Sequence, residues 1–270
     1  MSTRIARSYL YVPGNRPDRF DKACAAGADA VIVDLEDAVP AAEKTSARAA
    51  VTSWLSPARA VLVRINAVDT EWFEADLAAC DAAGVIGVVL PKAEKIGDAV
   101  VSLCRRRSAA LLPLIETAVG MAQASAVAST SCVQRLLFGT IDFQLELGID
   151  GDGDELLAFR SQLVLASRLA GIQAPVDGPC TSWDDADLVT ADARRARRLG
   201  FGGKLCIHPK QIASVNAAFS PSEAEVAWAR KIVDAAKRSG GAAVAVAGKM
   251  IDRPVILKAE RTLREAGGAD

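Results

Sequence analysis

Short apolar runs alternate with alanine-rich amphipathic stretches along the first 210 residues. Eight runs read as strands: Ser8–Gly14, Ala30–Asp37, Ala60–Asn66, Gly87–Lys92, Leu111–Thr117, Arg135–Phe143, Ala174–Pro179 and Gly203–His208. Most are nearly continuous in Val, Ile and Leu rather than alternating. That is the pattern of strands buried on both faces of a parallel sheet. The intervening stretches are long enough for crossover helices, as Asp18–Ala26, Ala41–Trp54 and Asp184–Leu199 illustrate. Eight β runs, each followed by a helical stretch, predict an α/β fold of the (β/α)8 TIM-barrel type over residues 1–215. An open doubly wound sheet is the alternative. It normally carries a Gly-rich turn after an early strand, and the first turn here, PGNRP, has a single Gly.

Beyond the eighth run, Ser220-Pro221-Ser222-Glu223 reads as a capping box with Pro at the first helical position. The helix is expected to reach about Ser239 and stop at Gly240-Gly241. An apolar run, AAVAVAGKMID, and a last helix over Pro254–Ala266 follow. This extension, residues 216–270, is short for an independent domain. It is expected to pack on the barrel or to reach a neighbouring subunit.

Composition narrows the function classes. Lys and Arg number 32 against 33 Asp and Glu, a net charge of −1. Such a balance leaves no electrostatic footprint for nucleic acid or an anionic membrane. The N-terminus lacks the apolar core of a secretory signal, and no apolar run approaches the roughly 18 residues of a membrane span. A cytoplasmic protein is therefore expected. The six cysteines are scattered without a C-x-x-C pair, which disfavours a zinc ribbon or a disulfide framework. His208 is the single histidine, so a multi-His metal site or a histidine relay is improbable. It reads as a hydrogen-bonded structural residue. Three local patterns fail as motifs. DGDGDE at Asp150–Glu155 has Glu where a calcium loop needs its sixth-position Gly, and reads as an acidic surface loop. GFGGK at Gly200–Lys204 lacks the P-loop spacing. RRARR at Arg194–Arg198 reads as a solvated helix face.

In a barrel of this kind the chemistry lies at the C-terminal ends of the strands. That rule collects Asp34, Glu36 and Asp37 after the second run, Arg64 and Asn66 after the third, and Lys92 after the fourth. It adds Glu116 after the fifth and Asp142 after the sixth. Glu116 and Asp142, on adjacent strands, can hold one hard cation such as Mg2+, which takes one or two carboxylates and keeps water or substrate oxygens elsewhere. Glu36 and Asp37 can hydrogen-bond the waters of that cation. Arg64 can clamp a substrate carboxylate, and the set suits a chelating 2-keto acid. The plainer alternatives are ion pairs inside the barrel: Arg64 with Glu36, and Lys92 as a salt bridge rather than a Schiff-base lysine. Asp252 gains no role from spacing.

The motifs YVPGNRPDRFDKA (11–23), VIVDLEDAVPAAEK (31–44), VRIN (63–66), LPKAE (90–94), IETAVG (115–120), FGTIDF (138–143), GFGGKLCIHPKQI (200–212) and GKMIDRPV (248–255) occur in this order. Together they resemble the citrate lyase beta-subunit-like branch of the HpcH/HpaI aldolase family, which includes malyl-CoA and citramalyl-CoA lyases. The resemblance implies a homotrimeric TIM barrel that uses Mg2+ to cleave or form a 3-hydroxyacyl-CoA, with acetyl-CoA and a 2-keto acid as the other side of the reaction. It places the metal ligands at Glu116 and Asp142 and the substrate-carboxylate arginine at Arg64. Contacts to the acyl-CoA thioester fall at Tyr11, Arg16 and Lys22. A catalytic aspartate that enters the neighbouring subunit's site falls at Asp252. Malyl-CoA thioester hydrolysis, a CoA-independent class II aldolase and an accessory subunit of a citrate lyase-like complex are the competing expectations.

Overall fold

The computed structural model describes residues 5–238, 244–246 and 249–267. They fall into two compact units, one spanning Ala6–Asn216 and one formed by Ala217 onward together with Ile5.

The larger unit is a closed barrel of eight parallel strands in sequence order: β1 (Ser8–Pro13), β2 (Ala30–Asp34), β3 (Val61–Arg64), β4 (Val85–Leu90), β5 (Ala110–Ile115), β6 (Leu137–Phe138), β7 (Val176–Asp177) and β8 (Gly203–Cys206). β8 pairs back onto β1, with Leu205 opposite Tyr9. The helices between strands are α1 (Phe20–Cys24), α2 (Lys44–Trp54), α3 (Phe73–Ala79), α4 (Asp98–Arg107), α5 (Ala118–Ala122), α6 (Ala124–Ala128), α7 (Thr140–Leu147), α8 (Leu157–Leu169) and α9 (Ala186–Leu199). The near-continuous apolar runs now have a physical reading. Tyr9, Ile32, Leu62, Val89, Leu112, Leu114, Leu137, Val176 and Leu205 form one buried cluster. Val33, Val63 and Val88, one position along, are equally buried, because successive side chains point to opposite sides of the sheet. Full burial of each such side chain contributes about 1.5–3 kcal/mol.

Arg135, fully buried, closes the N-terminal end of the barrel. It donates to the carbonyls of Ala6 (2.7 Å) and Ala174 (2.8 Å) and to the Tyr9 hydroxyl (2.9 Å). A second buried network fastens β7 and β8. Asp177 accepts from Arg160 (2.9 Å) and Lys204 (3.0 Å), and these two cations hold its carboxyl below the usual range against the cost of burial. Asp152, in the acidic loop, pairs with Arg160 and Arg195. That loop is therefore a structural tie, and Arg195 leaves the solvated face predicted for RRARR. Cys80, Cys104, Cys180 and Cys206 are buried thiols, whereas Cys24 is exposed.

Several boundaries differ from the expectation. The sixth strand ends at Phe138, and Thr140–Leu147 is helix. Gly139 is the break point, where the Phe143 N–H turns back to the Gly139 carbonyl. The second strand stops at Asp34, so Leu35–Asp37 is loop, and the seventh is reduced to Val176–Asp177.

In the smaller unit, α10 (Ile212–Ala218) carries the chain across the boundary to α11 (Glu223–Arg238), the hairpin β9 (Val244–Val246) and β10 (Lys249–Ile251), and α12 (Arg253–Gly267). Ala229, Ile232, Ile251 and Ala259 form its core. The capping box is set two residues later than predicted. Ser222 and Glu225 exchange hydrogen bonds, with Ser222 N–H donating to Glu225 (2.8 Å) and Glu225 N–H donating to Ser222 Oγ (3.2 Å). A capping box needs Glu at the third helical position, which Glu223 does not occupy. The predicted stop at Gly240-Gly241 lies outside the described residues.

Candidate active site

The ends of β2 and β3 stand in register, with Asp34 opposite Arg64. Both side chains are buried, and they meet as a two-point fork. Arg64 Nε donates to Asp34 Oδ1 (2.7 Å) and Nη2 to Oδ2 (2.6 Å). The same carboxylate accepts the backbone N–H groups of Glu36 (2.8 Å) and Ala38 (3.2 Å). One acid therefore orients the guanidinium and folds the loop that follows it. Arg64 Nη1 points the other way, 2.9 Å from Glu36 Oε2 and 3.3 Å from Asp37. Its carbon lies 4.9 Å from the centre of the Tyr11 ring, a cation–π arrangement.

The loop is held from below as well. Lys44, buried, donates to the carbonyls of Leu35 (2.9 Å) and Glu36 (2.7 Å), and burial lowers its pKa. Asn66 donates to Leu35 O (2.9 Å). These contacts aim Glu36 into the mouth. Burial pushes the Glu36 carboxyl up to about 7 despite the nearby Arg64 charge.

Glu116, one residue past β5, is 2 % exposed. Its Oε1 accepts the Lys92 backbone N–H at 2.8 Å. Among the described residues it makes no ion pair. Burial first, then the Glu36 charge, raises its pKa to about 8, and Asp142 pushes in the same direction. Asp142 is partly buried in the first turn of α7, so it reaches the site from a helix rather than from a strand end. No group of three or more His, Cys, Asp or Glu forms a metal cage among the described residues. The residues nevertheless fit one divalent cation. A buried carboxylate in no salt bridge, its burial only partly offset by the Arg64 charge, is favoured by a further cation beside it, and with the second carboxylate the pair suffices for Mg2+.

Local sequence explains the placement. Thr117 caps α5 by accepting the Gly120 N–H at 2.9 Å, which fixes the chain directly after Glu116. Gly139 must lack a side chain: a Cβ there would stand 2.5 Å from Glu116 Oε2 and 2.6 Å from its Cβ. Gly139→Ala is accordingly expected to displace Glu116 and, with Glu116 as the candidate ligand, to weaken Mg2+ binding about 10–100-fold, the usual cost of disturbing a ligand's support. Calorimetric titration of both proteins with Mg2+ measures this, and equal affinities would refute it.

The structure thus brings Glu36, Asp37, Arg64, Glu116, Asp142 and Tyr11 to one end of the barrel. Arg16 and Lys22 are exposed on the β1–α1 segment, where Arg16 pairs with Asp18 at 3.0 Å. Asp252, also exposed, caps α12 by accepting the Val255 N–H at 3.3 Å. His208 accepts the Lys210 N–H and shares a reciprocal cap with Gln211, in line with its structural reading. Asp34, Lys44 and Gly139 gained no role from the sequence. The signal for Asp34 was present, since it ends an apolar run in the same manner as Arg64.

A family model described as HpcH/HpaI aldolase/citrate lyase matches residues 7–209. A citrate lyase subunit beta-like protein of Deinococcus radiodurans is 38% identical over 276 residues, covering 96% of each chain. A (3S)-malyl-CoA thioesterase of Cereibacter sphaeroides is 36% identical over 270 residues, covering 96% of this chain and 94% of the other. Among solved structures, that of CitE from Mycobacterium tuberculosis in complex with magnesium, acetoacetate and coenzyme A superposes with a TM-score of 0.86 at 36% identity, covering 97% of this chain and 98% of that one. No helix among the described residues is long and apolar enough to cross a membrane.

Proposed function

Because the chain belongs to the HpcH/HpaI aldolase/citrate lyase family, we propose that it is a Mg2+-dependent carbon–carbon lyase. Its substrate is a 3-hydroxyacyl-CoA such as malyl-, citramalyl- or citryl-CoA, and its products are acetyl-CoA and a 2-keto acid. The observation that carries this reading is Glu116, buried at the barrel mouth in no salt bridge among the described residues and beside Asp142. The similar solved structures support this ligand set between them: one holds magnesium, coenzyme A and acetoacetate, a 3-keto acid, and others hold magnesium with the 2-keto acids oxaloacetate or pyruvate.

Glu116 and Asp142 would hold the metal, with Glu36 and Asp37 at its waters. When bound, Mg2+ supplies a Lewis acid for the oxygen on the carbon that becomes the keto group. Arg64, its far edge fixed by Asp34, presents Nη1 to the substrate carboxylate in competition with Glu36 and Asp37. Tyr11, Arg16 and Lys22 would line the thioester side, where the two cations suit phosphate. In the condensation direction the Asp252 carboxylate would take a methyl proton of acetyl-CoA. The enolate carbon would then bond to the keto carbon, and the keto oxygen would take a proton from water to become the hydroxyl. Cleavage is the reverse: the hydroxyl proton passes to water, the C–C pair passes to the acyl-CoA fragment as an enolate, and its carbon takes back the proton held by Asp252. In this reading the chain works as a homotrimer and Asp252 is supplied by a neighbouring copy.

The test is to incubate the purified protein with Mg2+ and each of the three thioesters, with EDTA controls, and to identify products by mass spectrometry. EDTA-sensitive release of acetyl-CoA plus a keto acid is the expected result. A second reading, thioester hydrolysis, draws support from the malyl-CoA thioesterase relative. It yields free CoA and the intact hydroxy acid instead. No turnover of any thioester would overturn both.

A further inference from the structure

Lys92 has a backbone conformation that its side chain disfavours. Its φ is +46°, in the left-handed region that non-glycine residues avoid. The cause lies in the sheet. Leu90 stands opposite Pro113, yet the next ladder bond runs from the Ala93 N–H to the Leu114 carbonyl. The chain is therefore offset by one residue at Pro91-Lys92, as in a bulge. Glu94 N–H closes the turn on the Lys92 carbonyl at 2.9 Å. The strained conformation turns the Lys92 N–H away from the ladder and onto Glu116 Oε1 at 2.8 Å. From the same residue, Nζ reaches Glu36 Oε1 at 3.2 Å. One strained residue touches two of the buried carboxylates at this mouth. Strain of this sort persists where the surroundings impose it, which is commonly at functional sites.

We propose that Lys92 is a positioning residue with two separable parts: its backbone N–H sets the orientation of Glu116 for the metal, and its ammonium sets that of Glu36. The proposal rests on the reading of Glu116 as a Mg2+ ligand. It accounts for a lysine that needs no covalent role, and it distinguishes the residue from a salt bridge that merely stabilises the fold.

The two parts separate in a series of substitutions that all remove the ammonium but differ in tolerance of positive φ: Lys92→Gly, Lys92→Asn, Lys92→Ala and Lys92→Val. Gly adopts this conformation freely, Asn readily, Ala at a cost and Val hardly at all. Mg2+ affinity, measured by calorimetry on each purified protein, is expected to follow that order. Gly and Asn should remain within about twofold of one another, and Val should be about 10–100-fold weaker. If the Val variant does not fold, Ala against Gly carries the comparison. The kcat/KM of the Gly variant should fall about tenfold below the unsubstituted protein while its Mg2+ affinity is kept, because Glu36 loses its ammonium partner. A merely structural salt bridge would lower the melting temperature of all four, further where positive φ is costlier, and any loss of Mg2+ affinity would only follow that loss of stability. Equal Mg2+ affinity across the series, or loss in proportion to melting temperature, overturns the proposal. Glu116→Gln, titrated in parallel, separates the two layers. If it binds Mg2+ as tightly as the unsubstituted protein, the ligand reading falls and takes the proposal with it. If it does not while the series is flat, only the role of Lys92 falls.

Discussion

Glu116→Gln is expected to lower kcat/KM for thioester cleavage by about 10³-fold or more, since a bound Lewis acid contributes several kcal/mol of transition-state stabilisation. The substitution is close to isosteric. Its amide oxygen can still accept the Lys92 N–H that now meets Glu116 Oε1 at 2.8 Å, so the fold is kept and only the charge is lost. The buried acid also leaves a signature without substrate. Burial and the Glu36 charge raise the folded-state pKa to about 8, whereas an unfolded Glu titrates near about 4.3. Between those values the folded state binds more protons than the unfolded one, so this group makes the metal-free protein less stable as pH rises towards 8. A metal ligand must be deprotonated. Mg2+ affinity should therefore tighten with pH, by up to about tenfold per unit, and level off above about pH 8. Thermal melts with and without Mg2+ from pH 6 to 9 measure both trends. In Glu116→Gln the gain in melting temperature on adding Mg2+ should disappear. A gain of undiminished size would mean that Mg2+ binds elsewhere.

Much of this site was legible because barrel geometry converts strand order into position. The apolar runs are continuous where both sides of a strand are buried, as at Val61–Arg64, and the polar residues that end them gather at one mouth. Glu116 and Arg64 follow from that rule alone. Asp142 was placed at the mouth by a partly mistaken route: the run Arg135–Phe143 looks like one strand, but Gly139 breaks it and the acid arrives on the first turn of a helix. Periodicity cannot separate a short strand from a short helix in an apolar run of this length. Asp34 was collected at the mouth but given no role, because an acid at a strand end reads the same whether it faces water or a guanidinium. Only the pairing of β2 with β3 brings it against Arg64. That register also sets how Arg64 is used, since Nε and Nη2 are held by Asp34 while Nη1 faces Glu36 and Asp37. Lys92 shows a different limit. A lysine lowers the expectation of positive φ, and the offset that imposes it arises between two strands, which no local pattern encodes.

Asp252→Asn is expected to reduce kcat by about 10²–10⁴-fold, the usual contribution of a positioned acid or base, while Mg2+ affinity stays within about twofold. The substitution isolates the charge. Asp252 caps α12 through the Val255 N–H, and Asn is an equally good cap, so helix stability should be unaffected. If turnover, Mg2+ binding and keto-acid binding all fall together, Asp252 is a structural residue and the assignment fails. A mixing experiment tests the further claim that it serves a neighbouring copy. Each site would then combine Glu116 of one chain with Asp252 of another. When Asp252→Asn and Glu116→Gln chains, each inactive, are refolded together in equal amounts, about one site in four should receive both intact residues, by random assembly of a closed ring. Recovery to roughly a quarter of the unsubstituted activity is the expected result. If Asp252 served its own chain, every site would keep one defect and the mixture would stay as inactive as its components.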